Sequence, residues 1–241
     1  MKRLERGRVV ECPKPDPVEA FMRAGMGKGG QDRCQCEKDR IALIDELLQS
    51  VVLIRNSLCQ GSGVIIFSNR EGALVLTNRH VIDPKMNGNP AAAMEVKCDG
   101  KILKARRMLV APKRLDLALV TLGKRLGPPV SLGTEKPPLG AGVLVIGSPH
   151  GLENTVSKGI ISNFINMKTK SGLIYEMIQT DAAVSAGNSG GGLFELSSGD
   201  LVGVPTCILP HKDAENIAWA IPVTMLAEFP PDGWREIHHS K

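Results

Sequence analysis

One serine, Ser189, sits inside a run of glycines in SAGNSGGGLFE, residues 185 to 195. Gly187, Gly190, Gly191 and Gly192 lack Cβ atoms, so the backbone there can take positive φ and bring its N–H groups close to a bound carbonyl oxygen. A serine exposed in such a turn is suited to attack an acyl group. A glycine-rich hairpin turn accounts for the same residues equally well, since Gly and Asn are ordinary turn formers.

The spacing also fits the G-x-S-x-G elbow, which needs a strand, a sharp turn and then a helix, with acid and histidine following the serine. The helix is missing. Three glycines follow Ser189, each costing a helix interior about 0.8–1 kcal/mol relative to alanine, and the strand-like LFE comes next. Upstream, a histidine and then an aspartate stand in suitable contexts, in the chain order His, Asp, Ser. His80 lies in ALVLTNRHVI, where an apolar, β-branched run meets polar TNR. That is a strand running out into a loop, which fixes an imidazole for general-base work while leaving it accessible. Asp116 stands at the edge of the alternating strand RLDLALVTL. A carboxylate there must find a partner if buried, and in a triad the partner is the imidazole N–H.

Blander readings stand beside these: a histidine exposed at a strand end, and a strand-edge charge facing water. Two acids compete with Asp116. Asp83, three residues after His80 and next to Pro84, reads as a turn residue, and Asp181 in IQTDAAV reads as a support for the loop before Ser189. The remaining histidines, His150, His211, His238 and His239, fall in a turn, a polar loop and the tail, with no strand end beneath them.

With these pieces together the chain resembles the chymotrypsin-fold serine proteases, most of all the HtrA/Deg type. SVVLIRN, GSGVII, LVLTNRHVI, DLALVTL, VIGSPHGLENTVSKGIIS, IQTDAAVSAGNSGGGLF and WAIPV follow that family's order from about residue 40 to 227. The resemblance implies an all-β fold of two packed six-stranded antiparallel barrels, a triad of His80, Asp116 and Ser189, and oxyanion-hole amides on Gly187, Asn188 and Ser189. It further implies a serine endopeptidase acting on polypeptides, unfolded ones among them, and a homotrimer. Six positions before Ser189, where trypsin-like enzymes hold a counter-ion for basic side chains, stands Ala183. By the same alignment, Thr206, Cys207 and Ile208 on one strand and Ile217, Ala218 and Trp219 on the next form the specificity pocket. Such a pocket is apolar and narrow, so cleavage after small aliphatic residues is expected. A catalytically silent scaffold and a serine esterase on the same fold stay open as alternatives.

The departures are also informative. Only residues 228 to 241 follow the core, so no PDZ domain is expected. Gly192 stands where proline often follows the glycine pair. Asn188 replaces the aspartate that pancreatic-type proteases pair with a new N-terminus, so activation by that ion pair is not expected.

Positioning these residues falls to about a dozen short strand-like segments, including 51–56, 62–67, 73–78, 116–122, 143–147, 173–179 and 201–208, separated by Gly, Pro, Asn and Asp. A chain of 241 residues can fold them as one domain. An N-terminal barrel is expected over about 48–122 and a C-terminal one over about 143–227. Between them, residues 123 to 142 carry four prolines and five glycines and read as the linker. Residues 1–38 read as an irregular extension and 228–241 as a tail. From Asp39, Ile41, Ile44, Leu47 and Leu48 recur at helical spacing, so a short amphipathic helix feeds the first strand.

The opening MKRLERGRVV is followed by polar residues and prolines, so no signal peptide is read, and no stretch is apolar enough to span a membrane. The expectation is an intracellular, cytoplasmic protein with reduced thiols. Among the six cysteines, Cys34 and Cys36 form a C-x-C that Cys12 could join, but the spacing is not a usual zinc pattern, and neither metal nor cofactor is expected. The net charge of +5 is dispersed. Lys101, Lys104, Arg106 and Arg107 read as a strand edge protected against pairing. Eight aromatic residues are too few for a nucleic-acid stacking platform, so no nucleic-acid or membrane partner is expected.

Overall fold

The computed structural model describes residues 2–5, 8–11, 35–56, 59–83, 94–113, 115–148, 155–206 and 217–237. The chain divides into two units, Met1–Asp45 and Glu46–Lys241. The first contains a two-stranded hairpin, β1 (Lys2–Glu5) with β2 (Arg8–Glu11), inside the segment expected to be irregular. Helix α1 (Gln35–Leu48) starts four residues before the expected Asp39, and its last three residues, among them the buried Leu47, belong to the second unit.

The second unit holds two β systems. The first comprises β3 (Val51–Arg55), β4 (Gln60–Ser68), β5 (Ala73–Thr77), β6 (Glu95–Cys98), β7 (Lys101–Lys104), β8 (Arg107–Val110) and β9 (Ala118–Leu122). It is joined by β16 (Arg235–Ile237), giving the order β16-β8-β9-β5-β4-β3-β6-β7. The period-2 pattern explains its core: Val52 and Ile54, Ile65, Ala73 and Val75, and Ala118, Val120 and Leu122 all point into one apolar cluster. The second system is a closed six-stranded barrel of β10 (Gly142–Gly147), β11 (Thr155–Lys168), β12 (Ile174–Thr180), β13 (Gly192–Glu195), β14 (Leu201–Thr206) and β15 (Ala218–Pro222). Val143 and Val145, Ile161, Ile178, Leu193, Val202 and Ala220 fill it.

The architecture is mostly β, as expected, and the two systems differ in closure. The first has eight strands rather than six. β16, from the segment expected to be a tail, occupies the edge of β8 that faces away from β9. Its partner contact is reinforced by Arg107, whose guanidinium donates to Glu236 at 2.8 Å. The basic edge is therefore partly neutralised, while Lys101 and Lys104 lie on the terminal strand β7. Residues 123–141 form the connection and touch the barrel through a bridge from Leu132 to Leu201. β10 lies against both β3 and β4, and this seam holds the candidate site.

Candidate active site

The histidine is delivered by the end of β5. Asn78 stays extended (φ −79°, ψ 148°) and breaks the strand, after which the single turn α2 (Arg79–Ile82) carries His80. Asn78 is fully buried and its side-chain Nδ2 donates to the backbone carbonyl of Asp116 at 2.9 Å, tying the histidine turn to the loop before β9. The carboxylate completes the link. Asp116 Oδ1 accepts the backbone N–H of His80 at 2.9 Å, and Oδ2 lies 2.8 Å from His80 Nδ1. With both oxygens engaged, the imidazole is held in one orientation with Nδ1 as the protonated nitrogen.

Asp83 does not compete. It is buried at the end of α2, where Arg79 Nε donates to it at 2.9 Å, so the expected turn residue is a buried partner of its own helix. Asp181 is exposed and accepts the N–H of Ile160 at 2.7 Å, which holds β11. His150, His211, His238 and His239 lie outside the described residues.

Ser189 comes from the connection between β12 and β13. Two turns build it, Asn188 N–H donating to Ser185 C=O at 3.0 Å and Gly191 N–H to Asn188 C=O at 2.9 Å. Gly187 (φ 100°) and Gly190 (φ 84°) supply the left-handed positions that these turns require. A Cβ on Gly190 would lie 2.2 Å from Thr77 Oγ1 and 2.3 Å from the Ser62 carbonyl, so the loop packs directly on the end of β5. Gly61 makes the same point: its missing Cβ would meet Val81, the neighbour of His80, and lie 3.2 Å from the Ser189 carbonyl. The three residues expected to act together thus converge on one seam, His80 and Asp116 by direct bonds and Ser189 through its backbone.

The N–H of Asn188 donates to Ser185 C=O within the loop, whereas those of Gly187 and Ser189 have no acceptor among the described residues. Thr206 was expected to line the specificity pocket. Its hydroxyl donates to Asp116 Oδ2 at 3.0 Å, which sets it beside the carboxylate. Ala183 is exposed and its carbonyl accepts from Ser157 Oγ at 2.7 Å. Ile217 is exposed, Ala218 and Trp219 are buried, and Cys207 and Ile208 lie outside the described residues. A cavity of about 290 Å³ lined by Phe164, Tyr175, Ile178, Val202 and Met225 contains none of these pocket residues. Burial and, to a lesser degree, the Asp116 carboxylate push the Tyr175 hydroxyl up to about 12.

Ser62 was not singled out from the sequence, yet its hydroxyl donates to Gly187 C=O at 2.7 Å and accepts the Ser148 N–H at 2.8 Å. The available signal was a serine between two glycines in GSGVII. Cys59 Sγ donates to Asn56 Oδ1 at 3.3 Å and Cys98 Sγ to the Gln49 carbonyl at 3.4 Å, and Cys12, Cys34 and Cys207 lie outside the described residues. No cluster of metal-ligating side chains occurs among the described residues.

An eight-stranded sheet beside a closed β-barrel, with a histidine and an aspartate of that sheet bonded to each other and a glycine-set serine packed against the end of β5, defines the chymotrypsin-like fold class. The trypsin-like peptidase domain matches residues 61–204, and the chain belongs to that family. It is 40% identical over 172 residues to a Haemophilus influenzae protein named "Probable periplasmic serine protease do/HhoA-like", covering 70% of this chain and 35% of that protein. It is 38% identical over 169 residues to "Probable periplasmic serine endoprotease DegP-like" of Brucella suis, covering 68% and 31% respectively. The solved structure of the HtrA-type protease AlgW with a decapeptide superposes with a TM-score of 0.65 at 27% identity, over 78% of this chain and 65% of that one. The chain spans about a third of the length of the curated relatives it matches. The periplasmic designation of these relatives overturns the expectation of a cytoplasmic protein.

Proposed function

We propose that this chain is a serine endopeptidase that works through an acyl-enzyme. His80 Nε2 takes the hydroxyl proton of Ser189 as Oγ attacks the scissile carbonyl, and the N–H groups of Gly187 and Ser189 receive the charge that forms on the carbonyl oxygen. Asp116 holds the ring and stabilises the imidazolium. His80 then gives its proton to the leaving amine, and a water activated by the same nitrogen releases the acyl group. The observation that carries this reading is the double attachment of Asp116 to His80, one oxygen to the backbone N–H at 2.9 Å and the other to Nδ1 at 2.8 Å. With the proton on Nδ1, Nε2 is the unprotonated nitrogen that a general base requires.

Polypeptides are the substrates, and the names of the relatives support a site of action outside the cytoplasm. With Ala183 where a counter-ion would stand, a lysine or arginine side chain would lose water without gaining an ion pair, so cleavage follows small aliphatic residues. A fluorophosphonate probe tests the nucleophile: labelling of wild type at Ser189, and none of Ser189→Ala, is expected. Mass-spectrometric mapping of cuts in casein tests the specificity, and dominant cleavage after Lys or Arg would refute the pocket assignment.

A further inference from the structure

Ser62 is fully buried and engaged at every polar atom. Its N–H donates to the Ser189 carbonyl at 2.8 Å, and its carbonyl accepts from Thr77 Oγ1 at 2.6 Å. Both groups are available because the β4–β5 ladder ends at Val64, two residues away. The hydroxyl is shared between two elements, donating to Gly187 C=O at 2.7 Å and accepting from the Ser148 N–H, at the end of β10, at 2.8 Å. Glycines clear the space around it. A Cβ on Gly147 would lie 3.1 Å from Ser62 Oγ, and a Cβ on Gly61 would run into Val81.

We infer that Ser62 is a positioning residue for the oxyanion hole, acting through Gly187; this rests on the protease reading above. Gly187 has φ 100° and no side chain, so little steric resistance opposes rotation of its peptide planes. Two bonds from Ser62 oppose it instead. The hydroxyl holds the carbonyl of Gly187, and the backbone N–H holds the carbonyl of Ser189. These anchors bracket the Asn188–Ser189 peptide, which supplies one oxyanion donor, and fix the residue that supplies the other. A donor that must already point at the developing charge gains most of its value from being fixed beforehand. The residue type follows from the geometry: one small atom must both donate and accept, which a hydroxyl does and a methyl cannot.

The test uses the full chain, a chromogenic peptide ending in valine, and the boronate of the same peptide, whose tetrahedral adduct places an oxygen in the hole. In Ser62→Ala we expect kcat to fall about 10- to 100-fold, less than the 10²–10³ typical of deleting a donor outright. KM should stay within about threefold, and the inhibition constant of the boronate should rise by the same factor as kcat/KM falls. A merely structural role would lower the titratable active fraction without weakening the boronate on the active molecules, and that result overturns the inference. So does a folded variant with wild-type kcat and boronate affinity. If Ser62→Ala does not fold, Ser62→Cys carries the same test, since a thiol is a weak donor and acceptor of similar size; wild-type values there overturn the inference equally. A wild-type protein that neither cleaves peptide nor reacts with fluorophosphonate overturns the protease reading and this inference with it, whereas an active wild type beside an unimpaired Ser62 variant overturns this inference alone.

Discussion

Replacing Asp116 by asparagine keeps the shape of the side chain and exchanges one oxygen for an NH2 group, and the three bonds that the carboxylate accepts determine the consequence. Oδ1 receives the His80 backbone N–H, while Oδ2 receives His80 Nδ1–H and the Thr206 hydroxyl. An NH2 group at the Oδ1 place would face a backbone N–H, two donors with no acceptor, at a cost of about 1–3 kcal/mol in a buried site. The amide therefore turns its NH2 toward the Oδ2 place. There Thr206 Oγ1 can rotate to accept, but His80 Nδ1 must accept as well, so the ring proton moves to Nε2. That nitrogen can then no longer take the Ser189 proton. The orientation penalty alone favours the unproductive tautomer by about 5- to 150-fold, and losing the negative charge beside the imidazolium adds to it. A fall in kcat of about 10³–10⁴ with KM nearly unchanged is expected, the size found when a triad histidine is held in the wrong tautomer. Turnover of a chromogenic peptide, normalised by active-site titration and followed against pH, reads it. The variant's rate should climb with hydroxide, which can replace the lost base. Retention of more than about a tenth of wild-type kcat by folded Asp116→Asn would refute the reasoning.

Three further outcomes follow from the same coordinates. Thr206→Val removes the hydroxyl donor from Asp116 Oδ2 at nearly constant volume; a hydrogen bond to a charged group is worth about 1.5–3 kcal/mol, so kcat should drop roughly tenfold and thermal stability should fall, both absent if Thr206 lines a pocket instead. Gly190→Ala must place a Cβ 2.3 Å from the Ser62 carbonyl at φ 84°, so a loss of about 3–5 kcal/mol is expected in denaturant unfolding, and a variant as stable as wild type would contradict the loop geometry. Tyr175, the single tyrosine of the chain, has its hydroxyl raised from 10.0 to about 12, so its neutral form is the one the fold favours. Its contribution is complete below pH 10 and is lost as pH rises toward 12, by about 2–3 kcal/mol; ultraviolet titration of tyrosinate should show the high midpoint, and Tyr175→Phe should remove this part of the alkaline decline in stability.

The parts of the site that were legible in the sequence are those whose chemistry is local. Ser189 was visible because its turns need glycines at 187 and 190, and both take positive φ. His80 and Asp116 were visible because each stands where a β pattern stops or starts, and they are directly bonded. What stayed hidden depends on register and on contacts between distant segments. The bond from Thr206 to Asp116 Oδ2 did not show, because which face of a strand a residue occupies follows from its pairing. β16 is three residues long, too short for any period to show, yet it adds the eighth strand of the first system, at the edge of β8.

Ser62 shows the same limit most sharply. It lies 125 positions from the carbonyl it holds and 86 from the amide it accepts, and in the sequence it is only the polar residue of a Gly-Ser-Gly run. Gly61 and Gly63 stand on either side of it. In the fold they are what lets β4 approach Val81, the Ser189 carbonyl, Val75 and Ile54 without a clash. A polar residue in a strand at 0% exposure is costly unless every donor and acceptor on it is matched. Here all of them are, and two of those bonds end on the loop that carries the nucleophile. Burying a serine at this seam therefore does what burying an alanine would not: it ties the loop that carries Ser189 to the contact between the two β systems, since one hydroxyl bonds both the Gly187 carbonyl and the Ser148 N–H at the end of β10.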